Sequence, residues 1–556
     1  MRKRAFELLK NWCDTLLTYK VETSSPYTDG ALLCPACHVL HGRVADLCFP
    51  LTLLWAKTEK DEYLDSADKL INWSEYNLIN HEGLWYNDIT SRWYGTSIFS
   101  ALSIGEAILN FSDKLPSTLK EKWLGIFLRM TDTVATLEVR DAFLLTVTNY
   151  YCGAATLLAM AWKITGDEKY YEKSKFWISN ILSRFDNEGL LFGEGTIEAA
   201  SDGSHTIDMG YNLEESLPVL IRYSSLTGEY SEFFREKLKA HLDFLLPDGG
   251  IDNSWGTRHN KWTYWGSRTS DGITEGLALV LDDPMFADAC ERVITLYENC
   301  THNGLLAMPM AHESGEPTCL HHTFTHAKAL AALICANDVP DIKRTVLPRE
   351  KEYGIKVFQS GNLVLVSKGK FRATFSSCKA DYLGDNNANR GGSMNLLYHI
   401  EYGIICAATS AVYVPTELLN QQHPRRVGTP PCMTAQFIMD GKQGCLDTSA
   451  VISTEGDNVV RVTAEGWSAV YTFGEEYLDI FLECKDGTYN IPVVCSHNTE
   501  VILSDNRKLL TSKGITLTSD TPIDTDIHER VFHPVGGLVY LPISVKVNGN
   551  AHIKIK

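Results

Sequence analysis

A repeated unit of roughly 55 residues runs through the first 340 positions of this chain, and it constrains the fold more than any other feature. Each unit opens with acidic and aromatic residues, continues with the periodicity of an amphipathic helix, and ends at a glycine turn. The turns are marked by Gly83, Gly189, Gly249 and Gly304. The long first interval holds a degenerate unit over residues 120–139.

A second, more apolar helix follows each turn. Six such helices are predicted, and their starts are separated by 50 to 62 residues: they lie near His38, Tyr94, Asn149, Tyr211, Asp271 and His321. Two helices per unit are typical of a helical-hairpin array. The pattern predicts an (α/α)6 toroid, with the apolar helices as an inner ring and the amphipathic helices as an outer ring. An open α-solenoid is the alternative. Loops rich in Trp, Tyr, His and Arg before the inner helices favour a closed ring around a pocket.

The hydrophobic period changes to two beyond the repeats, for example over residues 363–366 and 459–463. Short strands of this kind, separated by Gly and Asn-Gly turns, predict an antiparallel β-sandwich. We therefore expect a toroid catalytic domain over residues 1–340, a linker over 341–352 and a β-sandwich domain over 353–556.

Charge and composition exclude several classes of function. The formal net charge of −18 argues against a nucleic-acid partner, which requires a basic footprint. There is no apolar run of membrane-spanning length. Polar residues interrupt the segment after the basic N-terminus, unlike a signal peptide, and the 15 cysteines lack dense disulfide spacing. We expect reduced thiols and a cytoplasmic location, or a periplasmic or secreted one if a leader has been removed. The oligomeric state is left open.

Polar and aromatic residues cluster at the predicted starts of the inner helices. If the ring closes, one end of it receives the following side chains from six directions: His41, Arg43, Trp93, Tyr94, Asn149, Tyr150, His205, Tyr211, Arg258, His259, Trp265, Arg268, His321 and His322. Singly, each has a structural alternative, such as an outward-packing Tyr211, an N-capping Asn149 or solvated loop arginines. The adjacent His321 and His322 point to different helix faces, so at most one of them faces the pocket.

Four tryptophans precede inner helices, and we expect at least one of them to stack on a sugar ring: Trp93, Trp255, Trp262 and Trp265. A role in packing is the alternative, because large domains bury many aromatic residues anyway.

The segment Cys34-Pro35-Ala36-Cys37-His38, with His41 three residues further on, has two interpretations. His41 and Arg43 line the pocket mouth in the first. In the second, Cys34, Cys37, His38 and His41 hold a structural metal. Such a site needs four ligands, and the sequence nearby shows no second Cys-x-x-Cys pair.

The residue types at the predicted pocket match β-elimination on a uronic acid. The C5 proton of a uronate is weakly acidic while its carboxylate stays charged, so Asn, His⁺ or Arg must neutralise that carboxylate and stabilise the enolate. A base and an acid are also required. Tyr can be both, because its phenol donates and accepts protons. Asn149, His205, Tyr211 and Arg268 supply these types.

An Asn, then Asp-Gly-Ser with His and Tyr, then Arg, on a toroid followed by a β-sandwich, resembles the toroid polysaccharide lyases. These include chondroitin and hyaluronan lyases and heparinase II/III-like enzymes. The resemblance implies that Asn149 neutralises the carboxylate and that His205 is a base or a second neutraliser. Tyr211 then matches the catalytic Tyr, and Arg258 or Arg268 matches the Arg. It implies an acidic oligo- or polysaccharide substrate and no required cofactor.

The sequence departs from the family motif at one point. The Gln-His pair usual between the Ser and the Tyr is absent, since His205 directly follows Ser204. The chain looks most similar to polysaccharide lyase family 27, in part through its Cys-Pro-Ala-Cys…His-Gly-Arg segment. Members of that family remove an L-rhamnose cap from D-glucuronate in arabinogalactan.

Two other functions remain open from the sequence. An inverting glycoside hydrolase of the toroid class would need two carboxyl groups about 6.5–9.5 Å apart. Its candidates are Glu194, Asp202, Asp208 and Glu214. A non-catalytic glycan-binding protein would keep the aromatic residues without converging Tyr, His and Arg. The ultraviolet absorbance of an unsaturated uronate product distinguishes the three.

Overall fold

The computed structural model describes residues 1–138, 147–258, 270–336, 344–382, 389–413 and 430–556. Helices of two kinds alternate along the first part of the chain. The outer helices are α1 (Arg2–Leu17), α3 (Asp61–Asn77), α5 (Ser117–Thr136), α7 (Glu168–Leu182), α9 (Ser231–His241) and α11 (Pro284–Asn299). The inner helices are α2 (Cys48–Thr58), α4 (Ser97–Phe111), α6 (Thr148–Thr165), α8 (Met209–Tyr211, Asn212–Ser216 and Leu217–Thr227), α10 (Thr274–Leu277) and α12 (Leu320–Cys335).

The two kinds of helix differ in how much of their surface is buried. Helix α1 buries one stripe, consisting of Ala5, Leu8, Leu9, Trp12, Cys13 and Leu16. Its spacing is that of a single helical face turned towards a core. Helix α6 buries every residue from Thr148 to Ala161, because other helices surround it. No helix within the described residues combines the length and apolar character needed to span a bilayer.

The inner helices form a ring. Each contacts the next along the chain, from α2 through α4, α6, α8 and α10 to α12, and α12 in turn packs against α2 and the outer helix α1. This last contact brings the two ends of the array together, as an open solenoid would not. The helical toroid predicted from the repeat is confirmed.

Glycine turns separate the two helices of a unit, as the repeat predicts. A short antiparallel bridge closes around three of them, pairing Ile79 with Trp85, Phe185 with Leu191, and Leu245 with Ile251. A two-stranded ribbon, β1 (Thr301–His302) with β2 (Leu305–Leu306), takes this place in the last unit. Gly249 has a φ of +93°, and a Cβ there would lie 2.7 Å from the Arg292 carbonyl oxygen, so no other residue fits this turn.

The first inner helix begins later than expected. It begins at Cys48, whereas the sequence pattern placed its start near His38. The chain turns tightly at Cys34–His38, where the Cys37 amide donates to the Cys34 sulfur at 3.4 Å and His38 has a φ of +57°. A left-handed residue interrupts a helix. His38 and His41 therefore do not lie on one face of a helix.

The second part of the chain is an antiparallel β domain. One sheet has five strands in chain order: β3 (Gly354–Phe358), β4 (Leu363–Lys368), β5 (Phe371–Ser376), β6 (Ser393–His399) and β7 (Gly403–Ala407). A three-stranded sheet pairs β14 (Val493–Val494), β20 (Leu538–Leu541) and β19 (Val531–His533). The largest sheet, of eleven strands, comprises β8 (Gln436–Met439), β9 (Lys442–Gln443), β10 (Val451–Glu455), β11 (Val459–Ala464), β12 (Trp467–Phe473), β13 (Leu478–Asn490), β15 (Val501–Ser504), β16 (Leu509–Ser512), β17 (Ile515–Ser519), β18 (Ile523–Asp524) and β21 (Ser544–Ile555).

The five-stranded and eleven-stranded sheets share one hydrophobic core. Phe371 and Phe375 of β5 pack in the same cluster as Tyr471 and Phe473 of β12. Alternating burial along β12 shows one face turned to this core and the other to solvent. The sandwich predicted for the C-terminal part is what these sheets form.

The five-stranded sheet also packs against the toroid. Phe358, Leu363 and Leu365 belong to the hydrophobic core of the helical part. Polar contacts cross the same junction, including Ser360 with Asp186 and Asn362 Nδ2 with Asp202 at 2.7 Å. The two parts are therefore joined by a packed, hydrogen-bonded interface.

Arg349 is a buried cation at this junction. Its Nη2 donates to the Ala373 carbonyl at 3.0 Å and to the Thr374 hydroxyl at 2.7 Å, and lies 3.8 Å from an Asp252 carboxylate oxygen. Neither Arg349 nor Asp252 is exposed to solvent. The arginine thus balances a buried carboxylate on the toroid and orients the first strands of the sheet.

We expect Arg349→Met to lower the free energy of unfolding by about 3 kcal/mol, because removing one member of a buried ion pair leaves the other uncompensated. The measurement is urea unfolding followed by circular dichroism. Arg344→Met is the matched control, since the Arg344 side chain is 78% exposed and its ion pair with Glu350 is long, at 3.8 Å. Its effect should stay under about 0.5 kcal/mol. Equal effects for the two variants would contradict the assignment.

Candidate active site

Tyr211 lies in the first turn of the inner helix α8. The carboxylate of Asp208 caps this helix by accepting the Tyr211 amide at 2.9 Å, and Asn253 Nδ2 donates to the other oxygen of Asp208 at 3.2 Å. Asn253 belongs to the loop after the next glycine turn. The backbone at Tyr211 is therefore fixed by two successive repeat units, which fixes the direction of its side chain.

The Arg258 guanidinium packs against two tyrosine rings. Its guanidinium carbon is 4.4 Å from the ring centre of Tyr211 and 4.5 Å from that of Tyr382. Its Nη1 forms an ion pair with Glu194 at 2.5 Å; Arg258, Tyr211 and Glu194 are buried, and Tyr382 is half-buried. A cation on an aromatic face is attracted by the ring quadrupole. The predicted substrate-binding Arg258 is thus held directly against the predicted catalytic Tyr211.

Tyr382 was not found from the sequence. It comes from the loop after β5 of the β domain, where nothing in the local pattern distinguishes it from a packing residue. Its ring also covers Gly195, where a Cβ would lie 2.8 Å from Tyr382 Cδ2. The β domain therefore contributes one wall of the site.

Helix α8 contains one π-helical turn, Asn212–Ser216, directly after Tyr211. Turns of this kind are frequent at functional sites. Here Glu214 and Glu215 are consecutive and both are buried. The Asn149 amide on α6 donates a hydrogen bond to Glu215, which links the second predicted catalytic residue to α8.

Tyr150 and Trp93 extend the site from α6 to the loop before α4. Trp93 Nε1 donates to the Tyr150 hydroxyl at 2.8 Å, and their ring centres are 5.7 Å apart. Burial raises the pKa of Tyr150 well above its ordinary value, and Glu215, which is ionised at the high pH where a tyrosine titrates, adds to this effect. Tyr150 is therefore a neutral hydrogen-bonding group at physiological pH, which makes it a poor base.

The pKa of Glu215 lies far above that of an ordinary glutamate. Burial, together with the nearby Asp271 carboxylate, raises its pKa to about 8, against the opposing effect of Arg43. A glutamate with this pKa carries its proton at neutral pH. The site therefore contains a buried neutral carboxyl group in contact with Asn149.

Arg43 lies inside the ring. It is 4% exposed, its Nη2 contacts Asp46 at 2.7 Å and Asp271 at 2.8 Å, and its Nη1 lies 4.0 Å from Glu215. Lys328 of α12 forms a second ion pair with Asp271. The structure thus gives Arg43 a place among buried carboxylates, instead of the pocket mouth expected from the sequence. A buried cation needs such partners.

His205 lies in the loop that leads to α8. Its ring stacks on Phe192 at 4.2 Å between centres, and its amide donates to the Ser360 carbonyl of the β domain at 2.8 Å. Its Nδ1 is buried and has no hydrogen-bond partner among the described residues. The ring is thus positioned by both domains, with one nitrogen left for a further partner.

The remaining residues predicted to bind substrate have different surroundings. His322 is fully buried, and burial lowers its pKa well below its ordinary value, so it cannot act as the cation that neutralises a carboxylate. His321 stacks on Phe324 at 4.8 Å, Tyr94 is half-buried, and Trp255 packs on Phe244 at 5.0 Å. Four predicted residues lie outside the described residues: His259, Trp262, Trp265 and Arg268.

A group of possible metal ligands lies at the start of α12. It comprises Cys34, Cys37, His41 and Cys319, and all four are buried. His38 is exposed and is not part of the group. Cys34, Cys37 and His41, considered for a metal site from the sequence, therefore lie together, and Cys319, which is remote in sequence, completes the group.

The carboxylates considered for a glycoside hydrolase have structural partners. Glu194 pairs with Arg258, Asp208 caps α8, and Glu214 accepts the Ser270 hydroxyl. Asp202 accepts the Ser204 hydroxyl at 2.6 Å and the Asn362 amide at 2.7 Å. Their arrangement does not favour an acid and base pair for hydrolysis.

Solved structures share this architecture. The chain is similar to the crystal structure of heparinase III, with a TM-score of 0.53 and 12% identity over 96% of this chain and 78% of that one. It is also similar to chondroitin AC lyase from Streptomyces coelicolor A3, solved in complex with chondroitin sulphate. That TM-score is 0.53, at 12% identity over 100% of this chain and 79% of that one. The fold is that of the toroid polysaccharide lyases.

Sequence comparison identifies the family within the toroid polysaccharide lyases. The family model for the ulvan lyase N-terminal domain matches residues 9–350, and the model for the ulvan lyase C-terminal domain matches residues 355–446. A broad-specificity ulvan lyase of Formosa agariphila is 32% identical over 584 residues, which cover 97% of this chain and 91% of the relative. The chain belongs to the ulvan lyase family and is a polysaccharide lyase. The finer resemblance to family 27 stays a prediction.

The raised pKa of Glu215 predicts a pH-dependent stability. An unfolded glutamate titrates near about 4.3, so between that pH and about 8 the folded protein holds one more proton than the unfolded chain. The stability associated with Glu215 is therefore greatest below the unfolded pKa and is lost as the pH rises through about 8.

We expect Glu215→Gln to reduce the fall in Tm between pH 5 and about 8.5, since glutamine does not titrate. Differential scanning calorimetry across that range measures the effect. Glu236→Gln, on the exposed face of α9, is the control and should leave the slope unchanged. An unchanged slope in Glu215→Gln would show that this carboxyl does not titrate in the window.

Proposed function

We propose that this lyase cleaves a polysaccharide at a bond to O4 of a uronic acid, by β-elimination, with Tyr211 as the proton-transferring residue. The proposal is carried by one observation: the Arg258 guanidinium lies 4.4 Å from the centre of the buried Tyr211 ring. A cation held against the face of an aromatic ring fixes the position of that ring and places a positive charge next to it. Tyr211 and Arg258 come from different repeat units, so only the fold brings them together.

The reaction requires one proton removal and one bond cleavage. Tyr211, as the phenolate, takes the proton from C5, a double bond forms between C4 and C5, and the C4–O bond breaks. The departing oxygen then takes a proton, which the newly protonated Tyr211 can return. The products are a new free hydroxyl group and a 4,5-unsaturated uronate.

Asn149 and Glu215 form the proposed carboxylate-neutralising pair. The Asn149 amide nitrogen carries two hydrogens: one is donated to Glu215, and the second can be donated to the substrate carboxylate. A neutral pair is well suited to this task, because a charged Glu215 would repel the uronate. The enolate that develops during proton removal receives the same hydrogen bonds.

His205 is proposed as a second donor to the substrate. Its ring is held by Phe192, and its Nδ1 has no partner among the described residues. Trp93, at 37% exposure, offers an aromatic face for a sugar ring, and its Nε1 is engaged by Tyr150. The proposed Arg268 lies outside the described residues.

The substrate is proposed to be ulvan or a chemically related acidic polysaccharide, on the basis of the 32% identical relative that carries this name. The rhamnose–glucuronate bond of arabinogalactan is the finer candidate from the sequence. It shares the 4-linked uronate that the elimination requires. The two substrates therefore belong in one assay, where the same product chromophore reports on both.

We expect purified protein to produce the ultraviolet absorbance of an unsaturated uronate when incubated with ulvan. Rhamnose-capped arabinogalactan, chondroitin sulphate and heparan sulphate complete the panel. Uronate polymers reduced at the carboxyl group are the matched control, because without the carboxylate the C5 proton is not acidified and no product should form. New reducing ends without absorbance would indicate hydrolysis and contradict the proposal.

Tyr211→Phe should lower kcat by about 10²–10⁴-fold, because it removes the phenol while keeping the ring that packs on Arg258. Tyr223→Phe is the matched control on the same helix. Tyr223 is fully buried and its hydroxyl contacts Glu229 at 3.3 Å, away from the site. Its kcat should remain near that of the wild type. Near-normal turnover in Tyr211→Phe, with equal Tm values, would assign proton transfer to another residue.

A further inference from the structure

Three thiols and one imidazole meet where the first and last repeat units touch. Cys34, Cys37 and His41 belong to the loop before α2, and Cys319 immediately precedes α12. Their ligand atoms all lie within 4.8 Å of one another. None of the four side chains is more than 5% exposed.

Two separations within the group are close to those of a tetrahedral metal site. The sulfurs of Cys37 and Cys319 are 3.5 Å apart, and the Cys319 sulfur is 3.3 Å from His41 Nε2. Ligands bound to zinc at about 2.3 Å for sulfur and about 2.0 Å for nitrogen are separated by about 3.5–3.8 Å in a tetrahedron. A disulfide would require a sulfur separation of about 2.05 Å. The geometry is therefore that of ligands around a common centre.

The backbone of the Cys34–Cys37 turn is arranged as a thiolate cradle. The Cys37 amide points at the Cys34 sulfur at 3.4 Å, and the His38 amide donates to the Cys34 carbonyl at 3.0 Å. The Cys34 amide is itself bonded to the Val39 carbonyl, and the His41 amide to the Leu32 carbonyl. These bonds hold both cysteines of the turn and His41 towards one point.

We propose that Cys34, Cys37, His41 and Cys319 bind one structural Zn²⁺ ion. Three thiolates and one neutral imidazole are a ligand set that zinc takes in closed, four-coordinate sites. Soft sulfur ligands in a tetrahedral arrangement select against magnesium and calcium. The ion binds as three thiol protons leave, so no oxidant or reductant is required.

The proposed ion links the first and last repeat units of the helical ring. His41 and Cys319 are 278 residues apart in the chain, and the described contacts between their segments otherwise include the His41 ring against His321 and Phe324, at 5.4 and 5.8 Å. Arg43, two residues after His41, forms the buried pair with Asp271. The ion thus positions the buried charges near the site, and His41 is a metal ligand in place of a substrate ligand.

Metal analysis of the full-length protein tests the proposal. Protein carrying no histidine tag is purified without chelators and analysed by inductively coupled plasma mass spectrometry. We expect about one zinc per chain. Cys319→Ser and His41→Ala should each lose most of this zinc. Cys335→Ser, at the other end of the same helix α12, is the matched control and should keep it.

A spectroscopic measurement on the wild-type protein covers the case in which these variants fail to fold. Exchange with Co²⁺ should produce intense visible bands of tetrahedral cobalt and near-ultraviolet thiolate-to-cobalt charge transfer. Removal of zinc by a chelator should lower Tm, and added Zn²⁺ should restore it. Metal-free protein that takes up neither ion, or a Cys37–Cys319 disulfide found by mass spectrometry, would overturn the proposal. So would full zinc content in both ligand variants.

Discussion

A network of buried polar and charged groups at the centre of the toroid ties the six repeat units together. Each unit contributes at least one side chain: Asp46, Ser100, Asn149, Glu215, Asp271 and Lys328. Arg43 connects three of the carboxylates, at 2.7 to 4.0 Å. Charges taken out of water are tolerated only when they are paired, so each inner helix must hold one rotation and one register for the others. The ring is specified by these pairs as well as by its apolar packing.

The pairing of buried charges also fixes the positions of the candidate active-site residues. Glu215 belongs to the central network and also accepts the Asn149 amide, so the groups beside the substrate are held by those that hold the ring. The π-helical turn of α8 lets Glu214 and Glu215 both lie inside, although they are consecutive. Tyr211 precedes that turn and meets Arg258 from the following unit. A shift of one helix would separate the proposed base from its cation.

The β domain completes the site as well as the fold. The Tyr382 ring packs on Arg258, as the Tyr211 ring does, and the Ser360 carbonyl accepts the backbone amide of His205. Hydrogen bonds from Asn362 and Thr374 to toroid carboxylates make this interface specific. An isolated toroid would lack one wall of the site, which gives a physical reason for the two parts to occur in one chain.

Local features of this protein can be predicted from its sequence. The outer helices, the positive-φ glycine turns and the change from helical to strand periodicity follow from spacing, because each depends on residues close in the chain. It also indicated Tyr211, Asn149, Arg258 and His205 as residues of one region, since all lie near starts of inner helices. The interaction partners of these residues, in contrast, depend on tertiary contacts. Glu215, Tyr382 and Cys319 look like ordinary residues locally, and His41 and Arg43 were expected at the pocket mouth. Their surroundings come from segments tens to hundreds of residues away, and burial and pairing depend on those segments.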